Sequence, residues 1–211
     1  LYAFPVLQRF NAPATVFLPT NFIGTERKFW TDIVSELLHD EQALKQIIAA
    51  PADSYKVHSN IVFQHLSKTD AINDEEMRLD QVISGLKGHL AEDIYRALNT
   101  LGIAGDSIPS TTRSFLDWNE ARFLKDSRLI TFGSHTADHN ILTTIELHKV
   151  RRELSLSKEK LVREKAISAE EPLFFCYPNG NANNKLANMV QDAGYAGAVT
   201  TKKGWNAWGA N

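Results

Sequence analysis

The sequence predicts an α/β fold whose parallel strands are arranged as a barrel, and two observations carry that prediction. Short β-branched or aromatic runs at residues 14–18, 129–133, 173–176 and 197–201 alternate with segments of helical periodicity. Strand, helix, strand, helix, strand is the order of linked βαβ units, which demand parallel strands. The first run, Ala14-Thr-Val-Phe-Leu18, is also apolar on both faces. Strands covered on both sides of a parallel sheet read that way.

The elements follow in order. Residues 1–10 place Leu1, Phe4 and Leu7 at helical spacing. Pro5 is tolerable only in a first turn, so this helix is expected to begin close to the chain start. The strand at 14–18 is closed by Pro19-Thr-Asn21. From about residue 25 to 105 the pattern is helical. Trp30, Ile33, Val34, Leu37 and Leu38 form one stripe; Leu44, Ile47 and Ile48 form a second, stopped by Pro51; residues 53–66 give a shorter segment. Asn73-Asp-Glu-Glu76 has the spacing of a capping box. It precedes a seam of Leu79, Ile83, Leu86, Leu90, Ile94, Leu98 and Leu101 that Gly102 ends, and Gly85 and Gly88 argue against one unbroken helix there. We read this stretch as a helical insertion at about residues 27–105 within a single domain spanning 1–211.

Beyond the turn-forming segment 105–109, residues 116–124 read as a helix and 129–133 as a strand. Thr143 and Glu146 repeat the capping-box spacing ahead of Leu147, Val150, Leu154 and Leu161 on one helical face. A strand at 173–176, a helix at 183–193 ended by Gly194, and a strand at 197–201 complete the chain. No internal repeat or low-complexity segment is visible.

Composition narrows the function classes. The content is 43% hydrophobic and 23% charged, ordinary for a globular protein, and 211 residues form a core that needs no disulfide or metal for stability. A net charge of −2 leaves no excess of Lys and Arg to neutralise phosphates, which argues against a general nucleic-acid binder. Lys149-Val-Arg-Arg152 reads as an exposed helix face. The one cysteine, Cys176, excludes an internal disulfide. No apolar run reaches membrane-spanning length and no signal peptide is visible. The sequence starts at Leu1 without methionine and reads as the middle of an element, so the chain is expected to be a fragment.

The residues most able to carry chemistry are His135 and His139, within Phe132-Gly-Ser-His-Thr-Ala-Asp-His-Asn140. Two imidazoles four apart converge on one ion from a helix face or from a loop beyond a strand. They follow a strand at its C-terminal end, where parallel α/β folds gather active-site groups. Ser134 and Thr136 offer hydroxyls to orient backbone or imidazole, and Asp138 is expected to point away from an ion held by both histidines. Tyr177-Pro-Asn-Gly180 follows the next strand; such a turn presents a backbone N–H to developing negative charge or simply starts the next helix. His39, His58, His65, His89 and His148 have no partner at ligand spacing and read as surface or structural. Cys176 reads as an inert thiol, since no base is paired with it in sequence.

Together these motifs resemble the polysaccharide deacetylases, whose catalytic unit is the NodB homology domain of carbohydrate esterases. Ser134-His-Thr-Ala-Asp-His139 is similar to that family's metal-binding H-[S/T]-x-x-H motif, trailed by Asn140-Ile-Leu142. Ala12-Pro-Ala-Thr-Val-Phe17 resembles its second strand, and Phe175-Cys-Tyr-Pro-Asn-Gly180 its third motif, with Tyr-Pro in place of Pro-Pro. Gly194-Tyr195 and Ala198-Val-Thr-Thr-Lys-Lys-Gly-Trp205 resemble what lies beyond. The likeness covers most of the chain except about residues 27–105.

The resemblance implies an incomplete, deformed (β/α) barrel of the NodB type that removes acetyl groups from N-acetylated glycans. It implies a divalent metal, zinc first and cobalt, nickel or manganese as alternatives, with His135 and His139 as ligands. In that family an aspartate completes the site, a second aspartate is the base and a later histidine the acid. The backbone N–H of Asn179 takes the oxyanion role, and Tyr177, Pro178 and Trp205 line the substrate site. The resemblance also implies an extracytoplasmic or cell-envelope setting, leaving the cytoplasm open.

Nothing in the chain matches the family's T-F-D-D-G motif, which is expected to end a few residues before Leu1. The acid histidine is expected beyond Asn211, and Cys176 stands where an arginine usually orients the base. The parent protein is therefore expected to be a metal-dependent deacetylase and this chain to have little activity. The competing expectation is a degenerate, non-catalytic barrel that binds a glycan or a protein.

Overall fold

The computed structural model describes residues 2–49, 55–103 and 113–204. The expected helix stop at Pro51 and the turn at 105–109 lie outside the described residues. The chain begins with α1 (Ala3–Arg9) and β1 (Ala14–Leu18). It continues through six helices: α2 (Trp30–His39), α3 (Glu41–Ile48), α4 (Tyr55–His58), α5 (Ile61–Lys68), α6 (Glu75–Leu86) and α7 (Ala91–Thr100). It then runs through α8 (Trp118–Asp126), β2 (Ile130–Ser134), α9 (Leu147–Arg163), β3 (Phe174–Cys176), α10 (Asn184–Asp192) and β4 (Gly197–Val199). Two compact units result. The first joins Leu1–Gly24 to Leu116–Asn211, and the second is Thr25–Phe115.

The first unit is the α/β one. Its four strands are all parallel and lie in the order β1-β2-β3-β4. Strands adjacent in sequence are therefore adjacent in space, with no reversal. That is the winding of a barrel rather than of a doubly wound sheet with a switch point. Among the described residues β1 and β4 each pair on one side only, so the arc is an incomplete barrel, as expected. Helices α8 and α9 pack on β2, and α10 on β4.

The expected burial of β1 on both faces is not observed. Only Leu18 is fully buried, and Thr15 is exposed with its hydroxyl 2.9 Å from that of Thr131 across the ladder. Thr131 on the neighbouring strand is exposed as well, so this face of the sheet is open at that level, and apolar composition alone does not report this. Gly133 explains how closely the strands approach: a Cβ there would sit 2.5 Å from the Phe17 ring and 2.9 Å from the Phe174 carbonyl.

Helix starts differ from the sequence expectation at two places. In α6 the cap is Asp74 rather than Asn73; its carboxylate accepts the Met77 N–H at 2.8 Å. In α9 the cap is Glu146, which makes no side-chain capping bond, because residues 142–144 form a 3₁₀ turn of their own. The reciprocal capping box occurs instead in α8, between Asp117 and Glu120. Such caps satisfy N–H groups the helix leaves unpaired and contribute about 1 kcal/mol each.

The second unit is all helical around Ile33, Val34, Leu37, Val62, Leu66, Val82, Leu86, Ile94 and Leu98. The long seam is split between α6 and α7, and Gly88 lies in the break. Asn60 ties two of these helices together: its side chain caps α5 and donates to the Ala97 carbonyl at 2.8 Å.

Candidate metal centre

The site begins where β2 ends. The His135 N–H donates to the Leu18 carbonyl at 3.0 Å, extending the β1–β2 ladder by one step and setting the ring at the C-terminal end of the sheet. The following loop passes twice through left-handed backbone at non-glycine residues, Thr136 (φ 67°) and His139 (φ 59°). Each costs on the order of 1–3 kcal/mol and persists only where its surroundings over-determine it. The turn after β1 supplies part of that hold: Thr20 N–H donates to the Thr136 carbonyl at 3.1 Å and Asn21 N–H to the Ala137 carbonyl at 2.9 Å.

Glu153, on the buried face of α9, supplies the rest. One carboxylate oxygen accepts the N–H groups of Ala137 (2.8 Å) and Asp138 (2.9 Å); the other accepts Asn140 Nδ2 at 2.7 Å. The residue is 6% exposed. Burial pushes its carboxyl above the usual carboxylate range, against the pull of those bonds.

The two rings lie edge to face with centroids 4.7 Å apart and planes at 68°. Both are half-buried. Nδ1 of His135 is 2.8 Å from the Cys176 carbonyl oxygen. A carbonyl only accepts, so the ring proton sits on Nδ1 and the lone pair on Nε2. This is the arrangement by which a carbonyl fixes the tautomer of a metal-binding histidine. Burial lowers the His135 pKa, partly offset by that bond, and burial followed by repulsion from His135 lowers His139 to about 4. Both rings are thus neutral near pH 7, the form that ligates. Two imidazoles on one tetrahedral ion, with bonds of about 2.1 Å, place their centroids about 5 Å apart. The 4.7 Å separation of this pair is close to that value. Among the described residues no group of three or more His, Cys, Asp or Glu is placed to hold one.

Under the pair lies a buried hydroxyl cluster. Ser134 Oγ and Ser157 Oγ are 2.8 Å apart, and the Tyr195 hydroxyl is 3.1 Å from the first and 3.0 Å from the second. Tyr195 OH is also 2.9 Å from the Leu154 carbonyl. The end of β2 is thereby locked to α9 and to the segment before β4. Ser134 therefore faces this cluster, whereas the Thr136 hydroxyl donates to the His135 carbonyl and steadies backbone.

The second predicted turn follows β3. Residues Pro178–Gly180 form one 3₁₀ turn with Asn179 in left-handed backbone (φ 58°, ψ 2°), closed by Gly180 N–H donating to the Tyr177 carbonyl at 2.8 Å. Gly180 is required: its φ is +76° and a Cβ would lie 2.1 Å from Thr201 Oγ1. Tyr177 is buried with its ring edge-on to Phe175 at 5.0 Å, Pro178 is buried, and Asn179 is exposed. The His135–Cys176 bond links this turn to the histidine loop. Cys176 is half-buried and its thiol pKa is raised by burial, the state of an inert thiol. Trp205 lies outside the described residues.

Sequence reasoning missed Glu153, Ser157 and Tyr195. A signal for the first two was present. They share the buried face of α9 with Val150, Leu154 and Leu161, so polar residues interrupt an apolar stripe.

Comparison with known proteins gives two findings. The sequence profile of the family described as polysaccharide deacetylase matches residues 86–198, which includes the histidine loop and the turn after β3. Among solved structures the chain is similar to a polysaccharide deacetylase from Bacillus cereus, 25% identical, covering 54% of this chain and 37% of that one, with a TM-score of 0.38. The chain thus spans about 37% of the length of that protein. No curated protein matches the chain.

Proposed function

Because the chain belongs to the polysaccharide deacetylase family, we propose that His135 and His139 are ligands of a divalent ion at a site for deacetylating an N-acetylated glycan. One observation carries this reading: two imidazoles with centroids 4.7 Å apart sit beyond a parallel strand, with the tautomer of one set by the Cys176 carbonyl. Imidazole ligands suit zinc, with cobalt, nickel or manganese as alternatives. Bound there, the ion supplies Lewis-acid polarisation of the acetamide carbonyl.

The chain's own groups have distinct parts. The His135 and His139 rings hold the ion in fixed directions, because the loop that carries them is tied at six hydrogen bonds. The Asn179 N–H, on a left-handed turn beside Cys176, serves the oxygen on which charge develops. Tyr177 and Pro178 set the shape of that turn, and Trp205 adds an aromatic face for the sugar. The base and the aspartate ligand of the family have no T-F-D-D-G counterpart in these 211 residues. This chain is accordingly assigned metal binding with little turnover. A protein of the family that carries the paired aspartates is assigned the reaction.

Zinc titration of the wild-type chain, His135→Ala and His139→Ala tests the reading, with acetate release from an N-acetylated oligosaccharide followed in parallel. Wild type is expected to bind one equivalent, both variants to lose it, and acetate release to stay near background. Equal affinity in all three proteins removes the metal reading. Robust acetate release contradicts the assignment of little turnover. Glycan binding unaltered by chelation and by both substitutions favours a non-catalytic binding module.

A further inference from the structure

We propose that Glu153 is a positioning residue for the histidine pair, acting through the loop backbone and not through the ion. The proposal rests on the metal reading above. A carboxylate that is 6% exposed and faces a strand end is an unusual occupant of an apolar helix face, and burying it is costly unless its lone pairs are met. Here they are met by the N–H groups of Ala137 and Asp138 and by the Asn140 amide. All three donors lie between or directly beside the two histidines.

The backbone explains what those bonds accomplish. Thr136 and His139 flank Ala137 and Asp138, and both adopt left-handed φ values, which a β-branched residue such as Thr136 rarely holds. Released from Glu153, residues 137–140 can relax toward ordinary φ, which swings the His139 ring relative to His135. His135 itself is held independently, by its N–H to Leu18 and by Nδ1 to Cys176. Loss of Glu153 therefore misplaces one ligand and leaves the other. A residue needed only for stability would lower the melting temperature with no change in the coordination sphere of the folded fraction.

The test uses the 211-residue chain and four forms of it: wild type, Glu153→Ala, Glu153→Gln and Asn140→Ala. Zinc affinity is measured by chelator competition, and the visible absorption of the cobalt(II) form reports ligand geometry. Glu153→Ala is expected to weaken zinc binding by about 10–100-fold, as loss of an outer-shell partner does, and to alter the cobalt spectrum. Glu153→Gln keeps an oxygen for the two backbone N–H groups and can pair with a reoriented Asn140, so it should restore affinity to within about fivefold. Asn140→Ala, which removes one bond of three, should cost a few-fold. Zinc affinity in Glu153→Ala within twofold of wild type, with an unchanged cobalt spectrum, overturns the proposal. Should Glu153→Ala fail to fold, wild-type affinity and spectrum in Asn140→Ala overturn it instead. A wild-type chain that binds no zinc sinks the metal reading and this proposal together, whereas zinc binding unaffected by Glu153 sinks this proposal alone.

Discussion

Among the described residues there are two close pairs of histidines, one in each unit, and their surroundings differ. His135 and His139 lie 4.7 Å apart on a loop held in left-handed backbone, with one tautomer set by a carbonyl and a buried carboxylate bracing the loop. His65 and His89 lie 5.9 Å apart, one on α5 and the other just beyond α6. His89 is exposed, and His65 leans over Gly85, where a Cβ would meet its Nδ1 at 2.3 Å. The second pair exists because a glycine leaves room for a ring; the first exists because the fold spends backbone strain and a buried charge to aim two rings. Proximity of imidazoles is common to both, and preorganisation is what separates them.

The largest expected effect sharpens that contrast directly. Replacing His135 or His139 by Ala should weaken zinc binding at least about 100-fold, whereas His65→Ala and His89→Ala together should stay within about threefold, measured by calorimetric titration. Next come the two glycines under the two regions. Gly133→Ala forces a Cβ against the Phe17 ring and the Phe174 carbonyl, and backbone cannot step aside, so about 1–3 kcal/mol should be lost in urea unfolding. Gly85→Ala meets only the His65 ring, which can swing out, and the helix gains up to about 1 kcal/mol; near-neutral or slightly higher stability is expected. A loss above 2 kcal/mol at Gly85 would mean that His65 is as fixed as His135.

Tyr195→Phe removes the hydroxyl shared by Ser134, Ser157 and the Leu154 carbonyl. The two serines still face each other at 2.8 Å, so a cost of about 1–2 kcal/mol is expected from thermal unfolding. The smallest effect concerns pH. His139 has a folded-state pKa near 4 against an ordinary 6.5, so between those values the unfolded chain binds more protons. Its contribution is therefore complete above about pH 6.5 and is lost as pH falls toward 4. Discounted for a half-exposed ring, this is on the order of 1 kcal/mol. Glu153, with a raised pKa, acts in the opposite sense, losing its contribution as pH rises through its folded value. The difference in slope between wild type and His139→Ala over that window isolates the histidine; identical slopes would contradict the assignment.

What was legible in the sequence follows the range of the interactions involved. The parallel strands and the placement of His135 after one of them were readable, because β-branched runs and turn residues are local signals. The open face of β1 was not, since Ala14-Thr-Val-Phe-Leu18 looks the same whether one face or two are covered. Helix caps were misplaced at Asn73 and at Thr143, where neighbouring residues compete for one role and backbone geometry decides. Glu153 stood in plain view on the α9 stripe, yet its partners are N–H groups 15 and 16 residues earlier, which no side-chain pattern encodes. Ser134, Ser157 and Tyr195 are brought together from positions 23 to 61 apart by the winding of three strands. The His65–His89 neighbourhood was likewise invisible, lying between two helices with no common spacing.

An anomalous difference map recorded at the zinc edge, from crystals of this chain soaked in zinc, puts the central claim to its most direct trial. A dominant peak is expected, bonded at about 2.1 Å to one ring nitrogen each of His135 and His139, with Nε2 as the His135 donor. A dominant peak at His65 and His89, or none within bonding distance of the first pair, would contradict it.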